Sequence, residues 1–296
     1  MTRHVLVTGG GGQVGLELAR QDWPQDVVPH FPTRDALDLG NAESIAAAFA
    51  VHKWAAVINC AAYTAVDKAE TEVGAAFLAN AQGPAWLAEQ CRNAGIPLIH
   101  VSTDYVFDGT ADGFYDEAAP VGPTGVYGAS KLAGELAVLS GNPRTVVMRT
   151  AWVVSAHRGN FVKTMLRVAT AGNPLRVVAD QRGCPTSAGD IARALLTILS
   201  AQLEREDAPT GTYQFVNAGE ASWCEFARAI FAQSSERGGP TAEVTAITTA
   251  DYPTPARRPA NSRLSTTKLT ADFGIVPRPW PEALANIMDE LVRPVS

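Results

Sequence analysis

The sequence is poor in the features that mark secreted, membrane-borne or nucleic-acid-binding proteins. Its 296 residues include only four cysteines, Cys60, Cys91, Cys184 and Cys224. None of them stand at metal-ligand or redox spacing, so they read as reduced thiols in a cytoplasmic protein. The five histidines are equally scattered and form no zinc pattern, so no metal site is expected. No uninterrupted apolar run reaches the length a membrane helix needs. Met1-Thr2-Arg3-His4 leads straight into Val5-Leu6-Val7, without the apolar stretch and cleavage site of a secretory leader. Positive charge is scarce too: 24 Lys and Arg face 30 Asp and Glu, a net charge of −6. Arg257-Arg258 is the only notable basic pair, which speaks against a polynucleotide partner and suits an anionic small molecule.

What is present is a globular composition, 46% hydrophobic and 18% charged, in a chain long enough for a substantial core. The first half alternates β-branched, apolar runs with helical patterns. Strands are expected at Val5–Thr8, Val27–Phe31, Ala56–Cys60, Leu98–Ser102 and Thr145–Arg149. Helices are expected at Gly12–Arg20, Ser44–Val51 (with Asn41 as its cap), Ala75–Asn80, Ala85–Ala94 and Tyr127–Leu139. Repeated strand–helix alternation predicts an α/β fold with a doubly wound parallel sheet. Beyond Arg149 the rhythm loosens. Helical patterns recur at Phe161–Thr170, Ile191–Leu203, Trp223–Gln233 and Glu282–Val292, with short strands at Leu175–Val178, Tyr213–Val216 and Val244–Ile247. The Pro- and Arg-rich segment Tyr252–Arg258 reads as a loop. Residues 1–150 are therefore expected to form a dinucleotide-binding domain. Residues 151–296 would form a smaller, mostly substrate-binding lobe, with possible return segments to the sheet.

Thr8-Gly9-Gly10-Gly11-Gly12-Gln13-Val14-Gly15 lies between the first strand and first helix. Gly9, Gly12 and Gly15 stand three apart. The loop can turn tightly and present backbone N–H groups to a diphosphate at the helix N-terminus, while Gly15 allows close packing of helix on sheet. A glycine-rich turn alone is a weak signal; its place between strand and helix makes it a dinucleotide site, and the absence of a Lys-Ser/Thr pair excludes a P-loop. Asp35 falls where an acidic residue would accept from a ribose 2′-hydroxyl, as in NADH enzymes. Arg34 beside it would bind the 2′-phosphate of NADPH. Arg34 lies nearer the strand end and weighs toward NADPH, with NADH the alternative.

Tyr127 and Lys131 stand four residues apart, on one face of a helix. A phenol has a pKa of about 10 and needs help to act at neutral pH. A nearby ammonium and an oxidised nicotinamide ring would lower that value, and the phenol could then protonate a ketone as hydride arrives. Such a pair is common on ordinary surface helices. What sets it apart is Ser102-Thr103-Asp104, which ends a strand with a hydroxyl at the carboxyl edge of the sheet, where ligands of open α/β folds bind.

Together with Asn59-Cys60-Ala61-Ala62-Tyr63-Thr64 and Val101–Phe107, these blocks resemble the extended short-chain dehydrogenase/reductases. Ala65–Glu70, Arg149-Thr150-Ala151-Trp152-Val153 and Arg258–Leu264 are similar, more narrowly, to the dTDP-4-dehydrorhamnose reductase family. The resemblance implies NADPH-dependent reduction of the 4-keto group of a dTDP-hexose, giving dTDP-L-rhamnose. It also implies Tyr127 as proton donor, Lys131 as its partner and Thr103 on the keto oxygen. Asp104 and Trp152 would contact the sugar, and Asn261 and Arg263 would hold the nucleotide end. Gly12, Gln13, Val14, Asp38, Leu39, Ala61, Ala62, Tyr63 and Thr64 would line the cofactor. Outside the resemblance, Trp152 would read as core and Asp104 as a turn residue.

Two departures stand out. Val154 replaces an aromatic residue that many relatives carry. Some relatives also bind Mg²⁺ at a dimer contact; Glu17 and Glu290 are retained here, but Gly189 falls where a third glutamate is expected. No metal requirement is therefore predicted, and a homodimer remains possible. Dehydration is disfavoured because Tyr105, not a carboxylate, follows Thr103-Asp104. An epimerase would need the same Tyr–Lys pair, and a non-catalytic dinucleotide-binding subunit would have no use for it.

Overall fold

A computed structural model describes residues 2–292, so the last four residues of the expected lobe lie outside the described residues. Five apolar runs form β1 (Arg3–Thr8), β2 (Val27–His30), β3 (Trp54–Asn59), β4 (Leu98–Thr103) and β5 (Thr145–Thr150). A sixth strand, Gly211–Gln214, comes from the second half and pairs parallel with β5. The strands are parallel, in the order Gly211–Gln214, β5, β4, β3, β1, β2. Chain order reverses between β1 and β3, and loops leaving the carboxyl ends of two such strands part to open a crevice.

Both faces of the sheet are covered, which is why its strands read as continuous apolar runs. Alternate residues of each strand serve opposite faces. Val5, Val7, Ile58 and Met148 meet Ile191, Leu195 and Ile198 of the helix Ala188–Glu204. Leu6, Val57, Leu98 and Val147 meet Leu87 and Cys91 of Gly83–Ala94 and Val138 of Val126–Gly141. Asn41 caps Ala42–Val51, its side chain accepting from the N–H groups of Glu43 and Ser44.

The segments expected as separate helices around Ala75–Asn80 and Ala85–Ala94 are one helical run from Val73 to Ala94. It is widened by a π turn at Leu78–Gln82. Such turns concentrate at functional sites. Gly134 of the facing helix lets the Asn80 carbonyl approach where a Cβ would overlap it.

In the second half, Phe161–Ala169, Trp223–Glu236 and Trp280–Leu291 pack with a parallel pair, Leu175–Val178 and Val244–Ile247, around Phe226, Ile230 and Met288. Two-residue strands at Arg182–Gly183, Ala221–Ser222 and Asn261–Ser262 pair with one another, and Val153–Val154 pairs with Thr186–Ser187. Short helices at Val66–Ala69 and Thr267–Phe273 lie where the sequence pattern gave no expectation. Among the described residues no helix is long and apolar enough to cross a membrane.

Candidate active site

The glycine turn leaves β1 at the crevice. Gly9 has φ +74°, a left-handed conformation open chiefly to glycine, and a side chain there would strike the Ala61 backbone. The Gly12 N–H closes the turn on the Gly9 carbonyl at 2.9 Å. The missing Cβ of Gly15 makes room for the Gly9 carbonyl and Gly10, so the helix closes tightly on the turn that leaves β1. Gln13 and Val14 head that helix. Gln13 Oε1 accepts from Ser155 Oγ at 2.8 Å and Asn160 Nδ2 at 2.9 Å, which lays the segment after β5 across the turn. At its tip Arg158 adopts φ +53° and donates from Nε to the Gly11 carbonyl at 2.6 Å. The guanidinium lies 3.2 Å from where a Gly11 Cβ would be, so the absent side chain admits it.

Beyond β2, the Arg34 side chain is 89% exposed and reaches no nearer than 3.8 Å to Asp38. Asp35 is exposed as well. Asp38 accepts from the Gly40 N–H at 3.0 Å, and Leu39 is buried beside it. After β3 the loop Ala61-Ala62-Tyr63-Thr64 is held at two points. Ala61 N–H donates to Asn59 Oδ1 at 3.1 Å, and buried Asn80 clasps Tyr63 by its N–H (2.7 Å) and carbonyl (3.1 Å). Asn80 also donates to Ser130 at 3.0 Å, tying this loop to the Tyr127 helix. The Tyr63 phenol donates to Glu72 at 2.6 Å, which pushes its pKa up to about 12. Thr64 is exposed.

The helix Val126–Gly141 starts against Glu70, which accepts the Val126 N–H at 2.9 Å. The Tyr127 ring meets Tyr105 edge-on at 5.3 Å. Thr103, the last residue of β4, lies close enough to the Tyr127 phenol to oppose the rise that burial gives its pKa. The Thr103 hydroxyl donates to Asp104 Oδ1 at 3.0 Å. Lys131 is only 2% exposed, and its Nζ donates to the Val101 carbonyl at 2.7 Å. Residues 103, 127 and 131 thus converge at the carboxyl end of β4.

Burial raises the pKa of the Tyr127 phenol, Asp104 and Tyr105 add to the rise, and Thr103 opposes it. Burial lowers Lys131 to about 8, against the pull of Glu135. Burial also raises Asp104 to about 6, with Ser262 and Thr103 opposing. Asp104 Oδ2 and the hydroxyls of Ser102 and Thr150 are buried without a hydrogen-bond partner among the described residues. Buried polar atoms at a sheet's carboxyl edge call for a partner, and a ligand is one candidate.

Trp152 has φ +50° and stacks on Trp223 with centroids 3.6 Å apart, its indole filling the space beside Gly183. Asn261 donates to the carbonyls of Ala111 and Gly113, both at 2.7 Å. Arg263 binds Glu220 at 2.9 Å, Asn261 at 2.8 Å and the Asp112 carbonyl at 2.6 Å. Both pin the 108–115 loop to the lobe. Arg258, of the basic pair read as suited to an anionic small molecule, lies 3.3 Å from the Tyr105 hydroxyl and 2.7 Å from Asp67. Between the loop and the lobe a cavity of about 350 Å³ is lined by Phe114, Cys184, Asn217 and Leu264.

The family model described as the RmlD substrate binding domain matches residues 3–293. The chain belongs to the dTDP-4-dehydrorhamnose reductase family. A reductase of that name from Sinorhizobium fredii is 45% identical over 96% of each chain. A crystal structure of one from Clostridium acetobutylicum has a TM-score of 0.91 at 37% identity, covering 97% of this chain and 99% of that one. Another, from Bacillus anthracis in complex with NADP, has a TM-score of 0.91 at 33% identity, covering 98% and 100%. The doubly wound sheet and the resemblance read from the sequence are those of these reductases.

Glu17 and Glu290, the two retained carboxylates, both face Arg20. Arg20 lies 2.9 Å from Glu290 and 3.5 Å from Glu17, and His157 is 3.3 Å from Glu17. Gly189 abuts Glu17 with no ligand atom to offer. The Arg20 guanidinium contacts both carboxylates and offsets one of their two charges.

Proposed function

We propose that the protein reduces the 4-keto group of dTDP-4-dehydro-L-rhamnose to dTDP-L-rhamnose with NADPH. The observation that carries this reading is the meeting of Thr103, Tyr127 and Lys131 beside the glycine turn, in a chain of this family. NADPH, when bound, supplies the hydride. The turn of Gly9, Gly12 and Gly15, with Gln13, Val14 and the Ala61–Thr64 loop, suits a dinucleotide in having no side chain where the diphosphate must approach. Exposed Arg34 and Arg158 are the cations for its phosphates, with Asp38 and Leu39 beside the adenosine.

Thr103 orients the ketone oxygen and Tyr127 gives it a proton. The phenol is protonated at neutral pH and can give up its proton as charge develops on the ketone oxygen. Asp104 Oδ2 takes a sugar hydroxyl, and Trp152 offers its indole to the ring. Asn261 and Arg263 shape the wall toward the nucleotide, with Arg258 nearby. The reaction needs no metal, and the protein acts in the cytoplasm.

The test mixes purified protein with dTDP-4-keto-L-rhamnose and each reduced coenzyme and follows nicotinamide absorbance. A reductase consumes coenzyme in proportion to product; an epimerase shows no net oxidation. No consumption with either coenzyme would remove the substrate assignment.

A further inference from the structure

Asn59 fixes the position of a proton at the centre of this site. Its Oδ1 accepts the Ala61 N–H at 3.1 Å and the Thr8 hydroxyl at 2.5 Å. The other end of the amide, Nδ2, therefore faces His100 Nδ1 at 2.9 Å. An amide nitrogen only donates, so His100 Nδ1 accepts and carries no proton. His100 is fully buried, and burial, with Lys131 second, holds its pKa well below the usual imidazole range. The ring is neutral, and its one proton is on Nε2.

That N–H faces Lys131 Nζ at 3.4 Å. An ammonium has three donors and no acceptor, so two donors would confront each other. A neutral amine resolves the conflict: one N–H stays on the Val101 carbonyl at 2.7 Å and the lone pair turns to His100. We propose that His100 is a positioning residue: locked by Asn59 as the Nε2–H tautomer, it destabilises the ammonium of Lys131 relative to its neutral amine. Lys131 is then a group whose charge responds to pH and ligand, not a permanent cation. The other ionisable groups facing it do not reverse this. The Cys60 thiol, after β3, is pushed up to about 12 by burial and stays neutral. Glu135, one turn along the same helix, is engaged by Arg149 of β5 at 2.7 Å. From the end of β4, Asp104 and Tyr105 act on Tyr127.

The tautomer can be read without any activity. Long-range proton–nitrogen spectra of cofactor-free protein labelled at its histidines should show one Nε2–H ring that does not titrate between roughly pH 5 and 9. That ring is assigned to His100 by its loss from the spectrum of His100→Gln. An Nδ1–H ring or an imidazolium at this position overturns the proposal. His100→Gln, whose amide oxygen can turn to Lys131, should move the Lys131 limb of the kcat/KM profile upward by about one pH unit, since that profile reports the free enzyme. An unchanged limb in a folded variant also overturns it. The profile rests on the reductase reading and the spectrum does not. The expected tautomer in a protein that consumes no coenzyme would uphold this inference and sink only that reading.

Discussion

The crevice and the C-terminal lobe treat polar side chains in opposite ways. In the lobe, charges are matched: Arg182 and Arg263 share Glu220 at 2.6 and 2.9 Å, and Arg278 binds Asp190 at 2.9 Å. Around the end of β4 they are not. Asp104 holds a buried oxygen without a partner, Lys131 faces a carbonyl and an imidazole, and the Tyr127 phenol is buried with no charge to match it. Matched pairs place one element against another. Unmatched buried groups cost stability in the empty protein and are recovered by a ligand, which is why perturbed groups gather where chemistry occurs.

The comparison breaks first at its one internal exception. Arg149 and Glu135, with side chains 6% and 2% exposed, form a bidentate pair just beneath the site. Arg149→Met leaves the carboxylate buried alone and should cost about 3–5 kcal/mol in urea unfolding. A loss below about 1 kcal/mol would mean that matched charge near the crevice is not structural. Tyr127→Phe probes the opposite class. Removing an isolated phenol should leave the unfolding midpoint and coenzyme affinity in place while turnover falls by about a hundredfold or more. Full activity in this variant would remove the proton donor from the mechanism.

Much of this contrast was legible in the sequence, but unevenly. The strands β1 to β5 and the Tyr127 helix carry enough apolar residues for their period to show, and a glycine turn announces itself by residue type alone. Thr103, Tyr127 and Lys131 could be paired in advance because a strand end and a helical spacing of four are local facts. Arg158 could not: its partner Gly11 is 147 residues away, and only folding brings them together. Asn80 escaped because a π turn breaks the helical period that would have marked its face. His100 reads as one more strand residue until Asn59 arrives from the neighbouring strand. Two-residue strands such as Asn261–Ser262 have no period to detect.

Asp104 sharpens the comparison through pH. Burial pushes its carboxyl up to about 6 in the folded protein, well above the usual carboxylate range, so the native state holds the proton longer than the unfolded chain does. The penalty of the buried charge is present in full above the folded value and disappears as pH falls to the unfolded one. Asp104→Asn should therefore stabilise the protein by about 3 kcal/mol at pH 7 to 8, with the gain vanishing toward about pH 4. Activity toward the keto sugar should fall even as stability rises. A variant less stable than the parent at neutral pH would show the carboxylate to be matched after all. A smaller effect is expected at Arg158, where glutamine in its place should weaken NADPH binding about tenfold by tryptophan fluorescence. Unchanged affinity would make the arginine a prop for the turn alone.

The weakest effects should come from the cluster that resembles a metal site. Arg20 and Glu290 are matched, but their side chains are 46% and 42% exposed, and exposed pairs contribute between about 0 and 1 kcal/mol. Glu290→Gln should accordingly shift stability by no more than about 0.5 kcal/mol. The guanidinium occupies the place between the carboxylates, and Gly189 supplies no third oxygen. Among the described residues, no group of three or more His, Cys, Asp or Glu side chains could hold an ion. Mg²⁺ and EDTA should then leave both melting temperature and turnover unchanged. A melting temperature that rises with Mg²⁺ and loses that rise in Glu290→Gln would mean that Arg20 yields its place to the ion, and that a matched cluster in this protein can still be a binding site.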